Sequence, residues 1–119
     1  MGTLNVTTYR VGTNRSRANP QAHRFFLSLE GFAESGAATS AVVYFWPTQP
    51  ADTVGYVAGS LLVGMLDDAD FAGWYDILRS ERPVKVSYIE GSAGESKVWH
   101  ISVGTTAEGV GEGPRDPNA

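Results

Sequence analysis

Residues 41–46 read AVVYFW, an unbroken apolar run with three aromatic side chains, closed by Pro47. Successive side chains of a strand point to opposite faces, so a strand with one wet face alternates apolar and polar residues. This segment does not alternate, and neither does LLVGML at 61–66. Both faces of these segments must therefore be covered. Leaving a large apolar side chain in water forfeits about 1.5–3 kcal/mol, and several together invite aggregation.

One segment has a helical period with which to cover them. In DDADFAGWYDILRSERP, Phe71, Trp74, Tyr75 and Leu78 fall at i, i+3, i+4 and i+7, one face of a helix. Asp67 or Asp68 is the expected N-cap, Asp70 suits the same end of the helix dipole, and Arg79 and Arg82 suit the other. Pro83 ends the element. Gly73, which costs about 1 kcal/mol relative to Ala inside a helix, marks a place where a strand or a second chain comes close.

The remaining elements are strands. LNVTTYRV at 4–11 has no cleanly apolar face, which predicts an edge strand or a loosely specified register. In HRFFLSLEGF, Phe25, Leu27 and Leu29 face one way and Phe26 and Ser28 the other. YVAGSLLVGML reads as one fourth strand, bent or bulged at Gly59 and Gly64. VKVSYIE alternates Val84, Val86 and Tyr88 against Lys85, Ser87 and Ile89; KVWHISV alternates Trp99, Ile101 and Val103 against Val98, His100 and Ser102. The predicted order is β-β-β-β-α-β-β. The class is α+β and mostly antiparallel, as a small barrel or a curved sheet packed with one helix. A single domain is expected over 3–104. Residues 105–119, TTAEGVGEGPRDPNA, have no period and little to bury, and are expected to be a disordered tail.

One helix of about four turns shields only a strip of such a sheet. Closure of the sheet on itself, a second copy, or a small apolar ligand would each cover the other face of AVVYFW. The expectation is that one side faces the intramolecular core and the other contributes to a homodimer or to contact with another protein. Val43, Tyr44, Trp46 and Trp99 are the candidate interface or pocket residues. A ligand pocket would be built from Tyr44, Trp46, Tyr56, Trp74, Tyr88 or Trp99.

Catalytic constellations are not visible. The chain has 119 residues, one domain's worth, with ordinary apolar (42%) and charged (18%) shares that predict folding. Absence of Cys excludes disulfides, thiolate metal sites and Cys nucleophiles. His23 and His100 stand far apart, which points neither to a metal site nor to a Ser-His-Asp arrangement. Asp67, Asp68 and Asp70 lack the Gly and distal Glu of a calcium loop. GVGEGP at 109–114 lacks the Lys-Ser/Thr ending of a phosphate loop. No cofactor is implied, and the expected function is non-catalytic binding through protein contact or self-association. Neither a membrane-length apolar run nor a signal-peptide pattern is present, so no membrane and a cytoplasmic location are the default expectations.

The net charge of −4 hides an asymmetry: through residue 29 every charged side chain is basic, namely Arg10, Arg15, Arg17 and Arg24. Arg15, Arg17 and Arg24, beside Tyr9 and Phe25, are candidate phosphate contacts for an alternative function, single-stranded nucleic-acid binding by a small barrel. The overall excess of acid argues against that partner. A carrier of a small apolar ligand, or a small enzyme with an aromatic pocket, is the further alternative.

Overall fold

The computed structural model describes residues 1–50, 52–91 and 96–105. Its strands are β1 (Gly2–Thr13), β2 (Phe25–Ser35), β3 (Ser40–Trp46), β4 (Gly55–Ala58), β5 (Leu61–Asp67), β6 (Val84–Glu90) and β7 (Lys97–Thr105). They close into a barrel in the order β1-β2-β3-β5-β4-β7-β6. Every neighbouring pair is antiparallel except β3 and β5, which run parallel in a straight register from Ser40↔Leu61 to Trp46↔Asp67. The fold is thus the α+β, mostly antiparallel small barrel, with a 3-residue 3-10 turn at Asp68–Asp70 running into the 10-residue helix α1 (Phe71–Ser80).

Closure answers half of the coverage problem. Alternate residues of each strand point inward, and Leu4, Leu27, Leu29, Val43, Phe45, Leu62, Val86, Tyr88 and Val98 are wholly buried there. The predicted helical face packs onto this core: Trp74 and Leu78 are buried. Phe71 stacks on Phe25 at 4.4 Å and meets Phe45 edge-on at 5.3 Å. These partners stand where β2 begins and β3 finishes, so α1 caps that end of the barrel. Toward the other end Tyr88 fills the interior, its hydroxyl accepting the Ala38 N–H at 3.2 Å.

Five details differ from the pattern read in the sequence. The expected single fourth strand is a tight hairpin of β4 and β5, in which Ala58 pairs with Leu61. Gly59 supplies its turn at φ 62°, as a two-residue hairpin loop with Gly first requires. Strand β1 is not an edge; it pairs with β2 along its length and with β6 over Gly2–Val6. Its irregular apolar pattern comes from a bulge around Thr7, which shifts the parity so that Leu4 and Val6, then Tyr9, face the core. Gly31 lies opposite, where a Cβ would run into the Asn5 carbonyl.

A second bulge, on β7 at Trp99 opposite Ile89 and Glu90 of β6, turns Val98 inward and Trp99 outward. It reverses the face expected for both. At the helix, no aspartate side chain makes a capping hydrogen bond. Asp67 instead accepts the Gln49 N–H at 2.7 Å, fastening the 47–53 loop. Gly73 has open space where its side chain would be, so nothing comes close there. The expected tail lies outside the described residues, apart from Thr105, which ends β7. Among the described residues no helix is long and apolar enough to cross a membrane.

Candidate functional site

The outward rows of β2, β3, β5 and β4 form one continuous wall. Pairing registers place Phe26 beside Tyr44 and Tyr44 beside Met65. The next row holds Ser28, Val42, Val63 and Tyr56, and the one after it Glu30, Ser40, Leu61 and Ala58. The row at the helix end holds Arg24, Trp46 and Asp67, with the Arg24 N–H donating to the Phe45 carbonyl at 2.8 Å. The wall is therefore apolar and aromatic in the middle, with Arg24 at one end of the β2 column and Glu30 at the other.

Its most prominent feature is an aromatic cluster. His23 lies 4.6 Å from Tyr44, 5.7 Å from Trp46 and 6.3 Å from Phe26, ring centre to ring centre, and Tyr44 and Trp46 are 5.7 Å apart. These rings are half-buried by one another although they stand outside the barrel. Asn14 Nδ2 donates to the His23 carbonyl at 3.0 Å, which ties the cluster to the loop between β1 and β2. Tyr56 extends the wall and is exposed. Val63, although outward, is buried between its neighbours.

The sequence candidates separate cleanly. Tyr44 and Trp46 belong to the wall together. Val43, expected at an interface or pocket, is a core residue with no exposed surface, because adjacent strand residues point opposite ways. Trp99 is 51% exposed but stands at the β7 bulge, and it joins none of the wall's aromatic contacts. The six aromatics of the imagined pocket do not converge: Trp74 and Tyr88 are inside, whereas Tyr44, Trp46, Tyr56 and Trp99 are outside. His23 and Phe26 were not singled out for this surface. The signal was available, since Phe26 shares an alternation with Ser28 opposite the core residues Phe25 and Leu27.

Arg15, Arg17 and Arg24 do meet, around a depression of about 390 Å3 in the 14–24 loop. Arg24 sits 3.8 Å from Asp68, while Arg15 and Arg17 join no ion pair among the described residues. The aromatics expected to accompany them are engaged elsewhere: Phe25 stacks on Phe71, and Tyr9 meets Tyr75 at 6.3 Å. The rings nearest this loop are those of the wall cluster. Among the described residues, no group of three His, Cys, Asp or Glu side chains is placed to hold a metal ion.

No protein-family model matches the chain, no curated protein matches it, and no solved structure matches it.

Proposed function

We propose that this protein is a non-catalytic interaction module that binds a protein partner through the outer wall of β2, β3, β5 and β4. One observation carries the proposal: the barrel core is complete without Phe26, Val42, Tyr44, Trp46, Met65 and Tyr56, and yet these lie side by side on one outer surface. A folding requirement alone would leave outward positions polar. Clustered, partly exposed aromatics, with their large area and little side-chain entropy, are what protein interfaces enrich. A photo-crosslinking residue placed at Tyr44 in cells is expected to give a discrete protein adduct. The same residue at Ser87, on the wall opposite, should give none. Equal labelling from both positions, or none from either, would rule the wall out as a contact surface.

Single-stranded nucleic acid is the alternative partner, favoured by one juxtaposition: the loop that holds the arginine-lined depression also carries His23, whose ring meets Tyr44 and Trp46. Charge works against it, because beyond the first 29 residues acids far outnumber bases. The expected result is no quenching of tryptophan fluorescence by an oligothymidylate at physiological salt. Salt-sensitive quenching, lost in Arg15→Ala/Arg17→Ala, would place nucleic acid first.

A further inference from the structure

The wall carries its charges in a way that suits one occupant. Along its pairing with β3 the outward row of β2 reads Arg24, Phe26, Ser28, Glu30, with a cation at one end, a carboxylate at the other and no charge between; beyond β3 the row runs on to Phe32 and to Glu34, which is paired with Lys85. Resting on the reading of the wall as a contact surface, we infer that its partner is a second copy of this chain, packed wall to wall with strands antiparallel. The two-fold axis lies in the interface and crosses the strands. Each Arg24 then meets Glu30 of the other copy, and each Tyr44 lies over the opposing Val42. One surface provides both halves of every contact, as an isologous interface requires.

The other in-plane axis, parallel to the strands, would set Arg24 against Asp67. That arrangement is poorer on two counts. Asp67 already accepts the Gln49 N–H at 2.7 Å. Glu30 would be turned onto Leu61 and Ala58 with no cation opposite. With the axis across the strands Arg24 and Glu30 are both paired, Asp67 keeps its hydrogen bond from the Gln49 N–H, and Arg24 gives up only a loose 3.8 Å contact with Asp68 whose arginine side is half exposed.

Area sets the strength. Strands about 4.8 Å apart with residues about 3.4 Å apart give this wall a footprint of roughly 400 Å2. Two such faces bury on the order of 800–1,000 Å2, below the roughly 1,200–2,000 Å2 of standard stable interfaces. Contacts of that size belong to the weak, transient class, so the dimer is reversible.

Sedimentation equilibrium over a concentration series tests this with a charge swap. The wild type should pass from one chain mass to two. Arg24→Glu and Glu30→Arg should each weaken association about tenfold or more by setting like charges together. The double variant Arg24→Glu/Glu30→Arg should recover to within a few-fold of the wild type, because the axis across the strands recreates both pairs with signs reversed. Ser28→Glu, with a charge at the middle of the same row, should abolish association while the melting curve stays intact. A wild type with the mass of one chain at every concentration overturns the inference, as does a double variant no better than the singles. If crosslinking at Tyr44 nevertheless gives an adduct of some other mass, the wall remains a contact surface and only the second copy is excluded.

Discussion

Neighbouring residues of β3 have opposite fates, and substitution should separate them. Val43→Glu forces a carboxylate into a core with no exposed surface at that position, and the chain should fail to fold. Tyr44→Glu, one residue on, should fold with nearly the wild-type melting temperature and lose the wall's binding; circular dichroism and a mass measurement read both. Trp74→Ala should cost about 3–5 kcal/mol, against a total of about 5–15 kcal/mol for a domain of this kind. Tyr88→Phe leaves the Ala38 N–H without its acceptor inside the barrel and should cost about 1–2 kcal/mol by denaturant titration. Trp74 was legible because a helical face announces its own inward side. Trp99 was not, since one extra residue in a bulge reverses strand parity, and a sequence does not display where that residue falls.

At the level of elements, the helix was read almost to the residue, with Pro83 beyond its end and four large side chains on one face. Its start was misread in chemistry: Asp67 accepts a loop amide and Asp68 lies 3.8 Å from the Arg24 guanidinium, partners that only the folded barrel brings near. The space above Gly73 is empty, so Gly73→Ala should raise stability by about 0.5–1 kcal/mol, visible as a rise of a few degrees in Tm. A fall would mean that something packs there after all. Gly59 is the opposite case. Its positive φ serves the turn that divides one apolar run into two strands. Gly59→Ala should destabilise the hairpin although its Cβ would touch nothing. That turn was hidden because Ala-Gly-Ser amid apolar residues resembles a bulge as much as a reversal.

For the molecule as a whole, apolar faces on both sides of AVVYFW predicted two coverings, and the barrel supplies the inner one. Strand order was beyond reach. Nothing local in Ser40–Trp46 or Leu61–Asp67 says that they lie parallel with β4 outside them; that follows from how seven strands close a ring. The ring is joined unevenly. Among the described residues, β1 and β6 meet over five residue pairs, but β4 and β7 over only Gly55↔Val98 and Tyr56↔Lys97, with the Val54 and Val57 amides donating to Val98 and Ser96 just alongside. The β1-β2-β3 meander and the β4–β5 and β6–β7 hairpins close between chain neighbours, whereas both closing junctions, β1–β6 and β4–β7, must wait until distant parts of the chain are in place. Of the two junctions the β4–β7 seam is held by fewer pairs, and it should be first to part. The Val54 and Val57 amides should exchange with deuterium well before those at the centre of the β1–β2 ladder, as an opening that leaves the rest of the barrel standing. The barrel so described is a ring with a clasp.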